Sequence, residues 1–162
     1  MSKEKSSRAL QESEYVALAE FRYQLRRFLR HMEEESRHLG VNPQQYQLVL
    51  AIKGLPKGQV PTITCLAERM QLNHNTMVEL VDRCEERKML HRERSLSDRR
   101  QVTLAIAPEG EAMLRRLGSA ARQELQSIGP MLVESVRRLT GEKSSRSTDN
   151  KPRKAVVKKA GS

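Results

Sequence analysis

Residues 66–106 read LAERMQLNHNTMVELVDRCEERKMLHRERSLSDRRQVTLAI, and the fold turns on how this stretch divides. With Ile63 just before it, Leu66, Ala67 and Met70 recur at three, four and seven positions, the apolar face of a short helix. After Gln71 and Leu72 comes Asn73. Its short side-chain oxygen suits the cap of a second helix, because it accepts from the free amides of a first turn. Met77, Leu80, Val81 and Cys84 form the inward face of that helix, and Asn75, Val78 and Glu79 look the other way, with His74 and Thr76 beside them. Two β-like runs follow, Met89 to Arg94 and Gln101 to Ile106, separated by the polar turn Ser95-Leu96-Ser97-Asp98-Arg99.

Helix, turn, helix and hairpin in this order predict a winged helix-turn-helix. An exposed first turn with short hydrogen-bonding side chains suits the major groove of duplex DNA, where base edges are read at close range. Asn73, His74, Asn75, Thr76, Val78 and Glu79 are therefore the candidate base-reading set. Arg100 at the wing tip suits a narrow minor groove, whose concentrated negative potential attracts guanidinium. Asp98, two residues earlier, is placed to fix that arginine by a charge-assisted hydrogen bond. Arg94 and Arg99 are candidate phosphate contacts, and Arg69 and Arg83 are read as solvent or intramolecular pairs.

The combination LAERMQLNHNTMVELVDRCEERKML with SDRRQVTLAIAPEG resembles the MarR family of bacterial transcription regulators over roughly residues 14–140. Its most specific parts are Asp98-Arg99-Arg100 and Ala107-Pro108-Glu109-Gly110, where the family usually has Thr-Pro-Glu-Gly. The sequence departs from the pattern at Gln71 and Lys88, where glycine is usual, at Glu79, often basic, and at Cys84, usually leucine. Lys88 marks a helix end closed without a left-handed glycine. The resemblance implies a homodimer on pseudo-palindromic double-stranded DNA, repressing by promoter occlusion and released by a ligand or by oxidation. It assigns to Asp98 and Arg100 the wing roles given above. It also implies a small aromatic or anionic effector held between the dimer helices and the winged domain, for which Phe21, Arg22, His38 and Tyr46 are candidates.

The flanking sequence extends this reading to a mainly α fold with a small β-hairpin wing and an α-helical dimerisation region. Residues 1–13 form a polar, flexible arm, 14–39 and 108–140 the dimerisation helices, about 43–107 the winged helix-turn-helix, and 141–162 a disordered basic tail. Leu18, Phe21, Leu25, Phe28 and Met32 make a coiled-coil-like stripe along the first helix. Gly40 ends it, Pro43 starts the next, and Tyr46, Val49, Leu50 and Ile52 turn that helix inward. Pro108 with Glu109 and Glu111 opens a helix carrying Met113, Leu114, Leu117 and Leu125. Gly129-Pro130 is expected to break it before a last helix with Met131, Leu132, Val136 and Leu139.

Charge sharpens the picture. The chain carries a net +10, and half of that excess lies in residues 141–162, so the winged segment is nearly neutral. A basic chain of this kind suits a polyanionic partner. It also raises an alternative, an architectural nucleoid-type protein dominated by its tail. Two separated cysteines fit a reducing, cytoplasmic setting, and a DNA-binding protein there is expected to be associated with the nucleoid. Cys84 reads as a small core residue, and Cys65, third in a helix capped by Thr62, is a redox candidate because a first helical turn favours thiolate. The sequence holds no catalytic constellation, metal-ligand or cofactor motif, nor a run apolar enough to enter a membrane, so the expectation is no enzyme, no cofactor and no metal.

Overall fold

The computed structural model describes residues 8–94 and 102–141. Asp98, Arg99 and Arg100 and the basic tail beyond Gly141 lie outside the described residues. The order is α1 (Glu12–His38), α2 (Pro43–Lys53), α3 (Ile63–Met70), α4 (His74–Glu86), β1 (Leu90–Arg94), β2 (Val102–Ile106) and α5 (Pro108–Thr140). This is a mainly α fold with one antiparallel hairpin. Among the described residues no helix is long and apolar enough to cross a membrane.

The helix ends follow the side chains available. Asn42, Thr62 and Asn73 cap α2, α3 and α4, accepting from the amides of Gln44 (2.9 Å), Cys65 (3.2 Å) and Thr76 (2.8 Å). Pro43 and Pro108 occupy first helical positions, where a missing N–H costs nothing. Helix α1 starts two residues before the expected boundary, at Glu12, because Glu14 turns back to accept from the Gln11 amide at 2.6 Å. Gln71 and Lys88 close α3 and the turn after α4 by adopting the left-handed conformation themselves, each at φ 55°.

Leu48, Val49, Leu66, Met77, Val81, Cys84, Leu90 and Leu117 form the centre of the core, where α2, α3, α4, the hairpin and α5 meet. The hairpin pairs Leu90 with Ile106, Arg92 with Leu104 and Arg94 with Val102. Leu90 and Leu104 bury its base against the helices.

Two expectations are corrected, the break in α5 and the inward placement of Leu50. Helix α5 runs unbroken through Gly129-Pro130. Pro130 sits on the exposed side, where the carbonyl it leaves unpaired can bond water, while Ile128 and Ser135 on either side stay buried against α1, so packing outweighs the proline's cost of about 3 kcal/mol. Of the stripe on α1, Leu18 and Leu25 are exposed, and Ala17, Gln24, Met32 and Ser36 make the buried line against the body. On α2, Leu50 is exposed and Leu48 is fully buried in its place. A helix apolar on two sides does not reveal from its period which side the chain itself covers.

Candidate nucleic-acid interface

Helix α4 buries Met77, Leu80, Val81 and Cys84, and that anchoring turns His74, Asn75 and Glu79 to the surface, with Thr76 and Val78 half-covered. Asn75 and Glu79 lie one turn apart on the same exposed face. Asn73 spends its side-chain oxygen on capping, so only its amide N–H groups remain to face outward. Glu79 is paired with Arg83, 3.5 Å away. Arg69 reaches the Gly54 carbonyl at 3.5 Å, and both arginines thus have intramolecular partners. The amino end of α4 projects with these polar groups and carries the positive end of the helix dipole.

The hairpin flanks α4, and Arg94 stands exposed at the end of β1, the last described residue before the tip. A contact absent from the sequence reading joins the two elements. The Arg92 guanidinium lies against Asp82 (2.7 Å) and against Glu85, both on α4. Burial pulls the Arg92 pKa down, and the hydrogen bond it donates to Asp82 with the charge of Glu85 more than offsets it, leaving the pKa raised. Behind α4, buried Gln45 donates to the Arg83 carbonyl at 3.3 Å and accepts from Arg87 at 3.3 Å, fastening α2 to the end of α4.

A cavity of about 900 Å³ opens where α1, α2 and α5 meet, lined by Phe28, Met32, Tyr46, Leu50 and Leu125, with Glu33 and Arg122 as its charged groups. Of the effector candidates only Tyr46 lines it; Phe21, Arg22 and His38 do not. Burial raises the Tyr46 hydroxyl's pKa. The helical spacing of Phe28 and Met32 was visible in the sequence, but their meeting Arg122 from α5 was not. Cys65 is half-buried with its sulfur 3.9 Å from Gln59 Oε1, and Cys84 is buried, its thiol pushed up to about 12 by desolvation. Among the described residues no group of His, Cys, Asp and Glu is placed to hold a metal.

A helix-turn-helix with an adjoining hairpin, bracketed by two long helices, is the winged helix-turn-helix architecture. Residues 39–101 match the model of the MarR family, which bears out the resemblance read from the sequence. The fold is shared with a MarR family protein from Bacillus stearothermophilus (19% identity, 82% of this chain and 97% of that one, TM-score 0.64). It is shared also with transcriptional regulator Tm0710 from Thermotoga maritima (18%, 78% and 93%, TM-score 0.59). A third structure, a MepR variant of S. aureus bound to an oligodeoxyribonucleotide, aligns at 16% identity over 78% of this chain and 90% of its own, TM-score 0.57. Among curated proteins none matches the sequence.

Proposed function

We propose that this chain is a sequence-specific regulator of transcription that binds double-stranded DNA as a homodimer. The observation that carries the reading is the exposed amino-terminal half of α4, where His74, Asn75 and Glu79 project beside a hairpin. One α4 from each protomer enters successive major grooves of a pseudo-palindromic operator, and the wings, with Arg94, Asp98, Arg99 and Arg100, follow the flanking backbone and minor grooves. The fold's likeness to a DNA-bound MepR variant agrees with this assignment.

The apolar surface left open on α1 and α5 supports the dimer. Tyr15, Leu18, Leu25 and Leu29 recur at heptad spacing on the outer face of α1, and Leu125, Val133 and Val136 are exposed on α5. A monomer seldom leaves so long an apolar stripe in water, and a second copy covers it symmetrically. The cavity between α1, α2 and α5 accommodates a small, mostly apolar effector, with Arg122 available to an anionic group, and occupancy there shifts the two DNA-binding lobes and relieves repression. The basic residues of 141–162 add phosphate neutralisation without reading bases.

Footprinting on the DNA upstream of the protein's own coding region tests the reading. A regulator protects a discrete site and prefers it to random duplex by about 10³ or more at physiological salt. Uniform coating with no preferred site would instead identify an architectural protein. Sedimentation of the wild type and of Leu25→Glu tests the dimer: the wild type sediments as two chains and the variant as one.

A further inference from the structure

One rung of the wing hairpin is anchored from both edges. In the register Arg92 faces Leu104. The Arg92 amide points away from β2 and donates to Glu85 Oε1 at 2.9 Å, while the Leu104 amide points away from β1 and donates to the Pro61 carbonyl at 2.9 Å. The guanidinium of the same arginine then grips α4, with Nη2 2.7 Å from Asp82 Oδ1 and Nη1 on Glu85 Oε2. Asp82 and Glu85 are three residues apart on α4 and share one face, and a planar fork of N–H donors can meet two such carboxylates at once. Arg92 and Glu85 each keep only 30% of their side chains exposed.

We infer that Arg92 is a positioning residue, which fixes the angle of the wing to α4 and so lets the wing reach the minor groove while α4 occupies the major groove. The inference rests on the DNA-binding reading above. A two-stranded hairpin is marginal on its own and takes its orientation from what it packs on. Here the base rung is held by Leu90 in the core, and on the next rung toward the tip Leu104 holds β2 in the core while Arg92 ties β1 to α4. The strand's alternation puts His91 and Glu93 on the opposite, exposed face, 2.7 Å from each other, and turns Arg92 inward. Arg92 therefore acts through the hairpin, its guanidinium turned to Asp82 and Glu85 on α4. Loss of the arginine frees the wing to tilt without disturbing the buried residues of α4.

The test uses the full chain and a duplex recovered from random DNA by selection with the wild type. Dimethyl sulfate methylates guanine N7 in the major groove and adenine N3 in the minor groove, so one reagent reads both contacts. Arg92→Ala is expected to keep the N7 protection, lose the flanking N3 protection and bind about tenfold more weakly, the loss of roughly one good groove contact. Arg92→Lys, whose single ammonium cannot span both carboxylates, falls between. Asp82→Asn, which removes one carboxylate's charge from the surface of α4, shifts the N3 protection in the same direction, so the inference does not depend on one variant. Arg92→Ala binding with wild-type affinity and both protections would overturn it. Loss of both protections together with a lowered melting temperature in all three variants would overturn it too, making Arg92 a residue of the fold. A wild type that protects neither groove overturns the DNA-binding reading and this inference with it.

Discussion

Gly110 and Met89 meet with no room for a side chain. A β-carbon on Gly110 would fall onto the Met89 carbonyl oxygen, well inside van der Waals contact, and 2.9 Å from the Ile106 methyl Cγ2. That carbonyl is also held by the Ala107 amide at 3.0 Å, so it cannot swing aside. The first turn of α5 is thus pressed onto the base of the wing, which gives the Pro108-Glu109-Gly110 sequence a steric reason. Gly110→Ala is expected to destabilise the fold by about 2–3 kcal/mol, in the range of core overpacking, despite alanine's better helix propensity. Thermal and urea unfolding measure it, and a variant as stable as wild type would show that the two elements can separate.

The two thiols should differ in reactivity. Cys84 is buried and its pKa is raised from 9.0 to about 12, whereas Cys65 is half-exposed in the first turn of α3. Iodoacetamide at neutral pH is expected to modify Cys65 in the folded protein and Cys84 only after unfolding. Because burial favours the protonated form of Cys84, its contribution to stability is whole below pH 9.0 and is lost as pH rises toward about 12. Urea melts across that window should fall more steeply for wild type than for Cys84→Ala. Equal modification of both thiols under native conditions would contradict the buried placement.

Left-handed residues give a gain in stability that has nothing to do with contacts. Gln71 and Lys88 both stand at φ 55°, where a β-carbon crowds the following carbonyl, and both side chains are exposed. Glycine removes that strain at the cost of some unfolded-state entropy. Gln71→Gly and Lys88→Gly should each stabilise by about 0.5–1 kcal/mol. Urea midpoints test each separately, and a loss of stability would reveal a role for the side chain.

These positions show where reading the sequence succeeds. Local rules located α3 and α4, because Thr62 and Asn73 are good caps and the apolar residues after them keep a helical period. The same period identified the face carrying Asn75 and Glu79. Local rules failed where partners distant in the chain decide. Leu50 looks like core in a helical projection, but which face a helix buries depends on the neighbours that arrive. Pro130 reads as a break, yet the apposition of α1 holds both halves of α5 in line. The Arg92 clamp joins residues seven and ten apart, and its geometry follows from how the hairpin leans on α4. The cavity depends on three helices from opposite ends of the chain and has no local signature.

Base preference is the last expectation, and it rests on Asn75 and Glu79. Both are exposed, one helical turn apart, and α4 is held from behind by its four buried residues and by Gln45. An asparagine amide can bond the N6/N7 edge of adenine with two hydrogen bonds. An ionised glutamate accepts only, which matches the cytosine amino group and repels phosphate. Arg83, 3.5 Å from the Glu79 carboxylate, moderates that repulsion without supplying an acceptor. Selection from random duplex should therefore give a different preferred base at one position for Asn75→Ala and at a neighbouring one for Glu79→Gln. Each change should cost discrimination of about 1–3 kcal/mol on the wild-type site. Glu79→Gln retains size and packing but gains a donor, so a broadened preference there reports charge and donor pattern. Both variants selecting the wild-type consensus at wild-type affinity would remove these two side chains from base reading and leave sequence discrimination to the shape of the DNA.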